Sequence, residues 1–325
     1  MQCKQGTSVR LLPDVRNSRR QPGAWRRAEH GLPRPLRCLA PDQSAEQAAA
    51  TVNDCLRLAT EGDVDALLEH VPDEVLDRCI ALQKSARKWT PGVQSNISFQ
   101  DVVRNSHKKE FIFDAYGQRG LIFFPLQQHQ VLSSMMVSSD KFVQRCDITT
   151  GVGERAVLTF QLMQQECLQS AYKGVQVVKR WVLHSITGES GVVGVPQQPH
   201  PSLSPDAVAL AQLQLLRQGQ LEEVCAFASP SSRASLGKFG FAPISAHFQP
   251  LMGHEAAHVM MTMHNYNCAD KATVVIGVVP SHRYSSKEQP SQQLIYLWTM
   301  GLQKAKPYVN CWMTERIQYT KPVSL

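Results

Sequence analysis

The sequence of 325 residues predicts an α+β fold built twice over. Three observations carry that prediction. Two helix-forming segments are each followed by β-rich runs, a set of residues recurs at constant spacing, and a Gly/Pro/Gln-rich stretch separates the two copies. Helices gathered ahead of strands, instead of alternating with them, point to helices packed on an antiparallel sheet. With 43% hydrophobic and 19% charged residues, the chain can bury a core in each copy. Its longest apolar runs, Leu121 to Leu126 and Val274 to Val279, are strand-sized, so no membrane span is expected and the protein reads as soluble.

Residues 1–40 are unlike the rest. They hold nine Lys/Arg (Lys4, Arg10, Arg16, Arg19, Arg20, Arg26, Arg27, Arg34, Arg37) against Asp14 and Glu29, which accounts for the whole net charge of +7. The other 285 residues carry 25 basic and 25 acidic side chains, so they offer no electrostatic footprint for a nucleic acid. An Arg-rich, acid-poor segment without a continuous apolar core predicts a disordered organelle transit peptide ending near Arg37-Cys38-Leu39-Ala40. Seven of the nine cysteines lie beyond it, scattered and without a CxxC pair, as in a reducing compartment where thiols serve as small hydrophobes.

The first copy, 41–188, opens on a helix with apolar residues at Ala48, Val52, Cys55, Leu56 and Ala59. Gly62 stops it, and Val64, Leu67 and Leu68 begin a second helix. Further on, "RAVLTFQLM" and "GVQVVKRWVLHSI" read as strands. Residues 189–203 are the linker. The second copy, 204–325, repeats the grammar: Ser204 caps, Pro205 takes the first helical position, Gly219 stops the helix, and Leu221, Val224 and Cys225 restart it. "KATVVIGVV", "QQLIYLWTMGLQ" and "VNCWMTERI" are its strands. Phe123, Pro125, Leu126, His129, Met135 and Met136 match Phe248, Pro250, Leu251, His254, Met260 and Met261, each pair offset by 125. Trp181/Ile186 recurs as Trp312/Ile317.

Ser204-Pro205, Gln212-Leu213, Phe227-Ala228-Ser229-Pro230, Arg233, Gly237, Pro250-Leu251, His254 and Trp312, spanning about 204–318, resemble a plant, algal and bacterial family of unknown function in the NTF2-like (cystatin-related cone) superfamily. The first copy joins the resemblance through the internal repeat, as a divergent member carrying an insertion between Gly62 and His129. The resemblance implies two tandem NTF2-like domains, each with N-terminal helices on a curved antiparallel sheet, free to pack as an intramolecular pseudo-dimer. It also makes the chloroplast stroma the expected destination, ahead of the mitochondrion.

"GHEAAHVMMTMH", Gly253 to His264, contains the HExxH pattern of zinc proteases. Zinc chemistry there needs both histidines one helical turn apart, and Met261 stands where a metzincin needs glycine for its turn. Pro250 and Gly253 upstream, with Val259 and Thr262 inside, favour a strand. Period two then places Ala257, Val259, Met261 and Met263 on one face and His254, His258 and His264 on the other. The first copy keeps neither the glutamate nor the second histidine, so no metal and no cofactor are expected.

The remaining candidates are binding residues. His129 and His254 could sit at a cone mouth or cap local turns, and Arg233 could hold an anion or tie down its helix. The methionines, Met261 among them, could line a cavity or fill a core, and Trp298 and Trp312 would be walls of a hollow cone. No nucleophile elbow or catalytic cysteine signature is present. The sequence therefore predicts a non-enzymatic module that binds a small molecule or a protein partner. The alternatives are a cofactor-free isomerase, dehydratase or hydrolase using a cone-mouth histidine and, remotely, a zinc protease.

Overall fold

Each copy folds as a four-stranded antiparallel meander, in the strand orders β1-β2-β3-β4 and β5-β6-β7-β8. The computed structural model describes residues 41–81 except 73, 76 and 78–80, then 113–171, 174–237, 249–265, 268–281 and 293–320. Residues 1–40, where the transit peptide is expected, lie outside them. In the first copy α1 (Pro41–Glu61) and α2 (Val64–Leu68) precede a short helix α3 (Ala115–Gln118) that continues into a π-helical turn (Arg119–Phe123). The strands β1 (Leu126–Ser138), β2 (Lys141–Thr150), β3 (Arg155–Ala171) and β4 (Gly174–Ser190) follow. The second copy has α4 (Pro205–Arg217), α5 (Leu221–Ala226), α6 (Pro230–Gly237), β5 (His254–Asn265), β6 (Cys268–Pro280), β7 (Leu294–Leu302) and β8 (Trp312–Thr320). Mixed helix and sheet with two similar antiparallel sheets is the expected α+β class. No helix among the described residues is long and apolar enough to cross a membrane.

The helix pairs form as their residues dictate. The stripe Ala48, Val52, Cys55, Leu56 and Ala59 is buried against the first sheet. Gly62 and Gly219 adopt φ of 74° and 73°, and the amides just after them, Asp63 and Gln220, donate back to Leu58 and Leu215. Both helices thus end in the same left-handed turn, which only glycine adopts without steric cost. The Ser204 hydroxyl accepts from the Ala207 amide at 3.2 Å, with Pro205 at the helix start.

The sheets curve through matching bulges. Strand β1 slips against β2 after Leu126, Val131 and Met136; β5 slips against β6 after His254, Val259 and His264, each counterpart 128 residues on. The last strands agree as well, since the bulge falls at His184 in β4 and at Glu315 in β8, three residues after Trp181 and Trp312. An extra residue every few positions bends a strand and reverses its inward and outward phase.

Two sequence expectations change as a result. The offset of 125 is out of step with the first strands of the folded copies by three residues, because the chain enters those strands differently. Leu126 opens β1 directly, whereas Leu251 is buried ahead of β5 and His254 opens that strand. His129 and His254 are therefore not structural counterparts. In β5 the bulge at Met260 breaks the single period of two: Val259 lies opposite Ile276, and Thr262 and His264 lie opposite Val274 and Ala272, on the core side. Met261 and Met263 turn to the other face. Met135, Met260 and Met261 are exposed rather than core-filling, because on edge strands with shifted phase they have no layer to pack against. Strand β2, which no sequence signal singled out, completes the first sheet.

Residues 39–325 form one compact unit with a core cluster in each copy. Phe124 of the first copy and Val192 of the linker pack on the second cluster. The linker is tied down further, with the Arg155 amide bonded to the Ser202 carbonyl at 3.1 Å.

Candidate functional site

The second copy forms a half-open cavity of about 390 Å³ between α4, α5, α6 and β8. Leu216 on α4, Leu221 and Val224 on α5, Ala228, and Ile317 on β8 make its wall mainly apolar. The cavity follows from how the segment ahead of α6 meets β8. In the first copy, Phe113 bridges Ile186 and the Asp114 amide bonds the Ile186 carbonyl at 3.0 Å, seating α3 on that residue. Gly117 permits the seating, since a Cβ there would stand 3.1 Å from Ile186 Cγ2. In the second copy, Ala228 bridges Thr314, three residues before Ile317, the counterpart of Ile186. The helix is held nearer the start of its strand, and Ser232 takes the place of Gly117. Space is left over Ile317.

Four of the polar side chains on this wall, Gln212, Thr314, Ser232 and Ser235, are hydrogen-bonded within the protein. Gln212 Oε1 accepts from Trp298 Nε1 at 3.1 Å and from Thr314 Oγ1 at 2.6 Å, while Gln212 Nε2 donates to the Val224 carbonyl at 3.1 Å. The Ser232 hydroxyl donates to the Glu315 carbonyl at 2.7 Å and that of Ser235 to Ser231 at 3.1 Å. Among the described residues, the titratable groups on the wall are Cys225, Glu315 and Arg316. Burial pushes the Cys225 thiol up, with Arg233 opposing, so it is a weak nucleophile at neutral pH. The Glu315 carboxylate is held by the Lys271 ammonium. Such a wall recognises by shape and apolar contact, and donors already committed favour an uncharged guest.

A second constellation lies where the copies meet. Arg119 is fully buried. Its Nε donates to Glu154 Oε1 and Oε2 at 2.8 and 3.1 Å, its Nη2 to Asp206 Oδ1 at 3.3 Å, and its Nη1 to His264 Nε2 at 3.1 Å. Arginine can only donate, so His264 accepts there and carries its proton on Nδ1. The Tyr116 hydroxyl donates to Asp206 Oδ2, and its ring lies 4.6 Å under the Arg119 guanidinium. Trp312 Nε1 donates to Glu154 Oε2 at 3.4 Å. Burial pushes the Asp206 carboxyl up to about 7, its own amide opposing and Asp114 adding to the rise. Arg119 opposes it too. Arg119, Glu154 and Asp206 are spent on one another and on His264, Tyr116 and Trp312, so the cluster reads as a fastening.

The predicted site residues scatter. His254 is buried, its Nδ1 donating to the Leu251 carbonyl at 2.6 Å, so it caps the turn ahead of β5. His129 is exposed on β1, beside an open polar groove shared with Asp147 and Arg155. Arg233 donates to the Tyr308 hydroxyl at 3.1 Å and lies over its ring, so it secures α6 by an aromatic contact rather than a salt bridge. Met261 lies on the exposed face. Trp298 and Trp312 are fully buried but stand behind the cavity wall; Trp298 reaches it only through Gln212. The HEAAH stretch is strand β5, so the helical face a zinc protease needs is not formed. His254, His258 and His264 meet Leu251, Gln293 and Arg119 respectively. Among the described residues no three His, Cys, Asp or Glu side chains form a group that could hold a metal ion.

Sequence reading missed Arg119, Glu154, Asp206 and Tyr116. A usable signal was present: Arg119 interrupts the run from Tyr116 to Phe124 otherwise made of Gly, Gln and apolar residues. No family model matches this chain, and neither a curated protein nor a solved structure is similar to it.

Proposed function

We propose that the protein is a non-enzymatic binding module that holds one small, uncharged, apolar molecule in the cavity of its second copy. The observation that carries this reading is the mainly apolar cavity of about 390 Å³ in which Gln212, Thr314, Ser232 and Ser235 already spend their hydrogen bonds within the protein. That volume lies within the range of small-molecule sites. An acid-base enzyme finds less support: His254 serves a turn, His129 stands on the surface of the other copy, and the cavity's thiol is held protonated. On the resemblance of 204–318, we place both copies in the NTF2-like superfamily, with curvature from paired bulges as the supporting geometry. The plastid destination rests on residues 1–40.

N-phenyl-1-naphthylamine, a neutral probe that fluoresces in apolar surroundings, tests the reading. One probe per chain should bind with micromolar affinity. Ala228→Trp, which fills the cavity, should abolish the signal while leaving cooperative thermal unfolding in place. Equal binding by the wild type and the filled variant would sink the proposal.

A further inference from the structure

Resting on that reading of the cavity, we propose that Arg119 is a positioning residue for it: the first copy, through Arg119 and Glu154, holds in place the two walls of a ligand site that lies wholly within the second copy. One wall is α4, which presents Gln212 and Leu216 to the cavity. The first turn of the same helix carries Asp206, bonded to Arg119 Nη2 at 3.3 Å. The opposite wall is β8, which presents Thr314 and Ile317. The first residue of the same strand, Trp312, donates to Glu154 Oε2 at 3.4 Å. Arg119 and Glu154 are joined by two bonds of 2.8 and 3.1 Å. A continuous path, Asp206 to Arg119 to Glu154 to Trp312, therefore ties the near ends of both walls to one arginine of the other copy.

A second tie joins the two walls inside the second copy, where the cavity begins. Gln212 Oε1 accepts from Thr314 Oγ1 at 2.6 Å, across the cavity's inner end. Beyond that tie, α4 and β8 run on as arms to Leu216 and Ile317. A helix rises 1.5 Å per residue, so Leu216 is about 15 Å from Asp206, and a small tilt at the junction is carried to the cavity. Solvent does not buffer the junction, because the side chains of Arg119, Glu154 and Asp206 are 0%, 1% and 9% exposed. Removing one partner leaves another buried and uncompensated, and the arms must move to solvate it.

The test uses the full chain and N-phenyl-1-naphthylamine. Arg119→Met and Glu154→Gln are compared with wild type, with Ala228→Trp, and with Leu162→Ala, which opens a void in the first core away from the junction. Arg119→Met and Glu154→Gln should each weaken probe binding about tenfold at unchanged stoichiometry. Leu162→Ala should lower the thermal midpoint yet leave probe affinity as in wild type. Should Arg119→Met fail to fold, Glu154→Gln, close to isosteric, decides alone. If wild type and Ala228→Trp behave as expected but both junction variants bind like wild type, the positioning role is overturned and the ligand site stands. If Leu162→Ala weakens binding as much as they do, the junction contributes only stability and the proposal is likewise overturned. If wild type binds no probe, the ligand site itself is wrong.

Discussion

At residue scale, Asp206 faces Arg119 and Tyr116 from the first copy, with Asp114, Glu154 and His264 in the same buried neighbourhood. An acid whose folded value lies above its unfolded one keeps its proton in the native state over a range where the unfolded chain has lost it. Stability from this group is therefore greatest at low pH, falls as pH rises from the ordinary value of 3.8 towards about 7, and levels off above. Each pKa step is worth about 1.4 kcal/mol, so the fall is on the order of a few kcal/mol, and the Arg119 guanidinium beside the carboxyl works against it. Asp206→Asn should flatten that slope. Urea unfolding at pH 5 and pH 8 measures it; parallel slopes in wild type and variant would show that Asp206 does not titrate in this window. None of this was legible from "SPDAVAL", where the residue looks like an ordinary first-turn acid. Its burial comes from a segment nearly ninety positions away.

At element scale, what was readable was what local chemistry decides. Ser204, Pro205, Gly62 and Gly219 punctuate the helices as their side chains and φ preferences require. The β-branched runs form strands. Bulges were not readable, because an extra residue is recognised only against its partner strand, and so the period of two that puts Met261 on the face of Val259 does not hold across Met260. The seating of α3 on β4 depends on close approach: a Cβ on Gly188 would lie 2.4 Å from Tyr116 Cβ and 2.8 Å from Leu158 Cδ2. Gly188→Ala should therefore destabilise by about 1–3 kcal/mol through overpacking. Chemical denaturation of the variant checks this, and a midpoint equal to wild type would mean that α3 moves away without cost.

At the scale of the whole molecule, the copies are held together by more than a linker. Phe124 and Val192 pack on the second core, and Arg119 sits between carboxylates from both copies. Expressed alone, 204–325 would keep Asp206, His264 and Trp312 while losing the partners that cover them. It should unfold at a clearly lower temperature than the full chain, or without a cooperative transition; scanning calorimetry of the two proteins decides, and equal midpoints would make the junction incidental. Residues 1–40 form a separate question. Fused to a fluorescent protein, they should carry it into plastids, and fluorescence retained in the cytosol would remove the case for a transit peptide.

The sequence by itself determined the class of fold, the two copies, the helix ends and the concentration of excess charge in one segment. Each depends on neighbours along the chain or on composition. The tertiary structure alone decided that the first strands of the two sheets are in step at 128 residues rather than 125, that β5 changes phase, that the candidate histidines never meet, and that space remains in the second copy. Those outcomes depend on how far one packed segment lies along another. A shift of three residues at Thr314 opens the cavity, and such a shift costs the sequence no residue that a linear reading would notice.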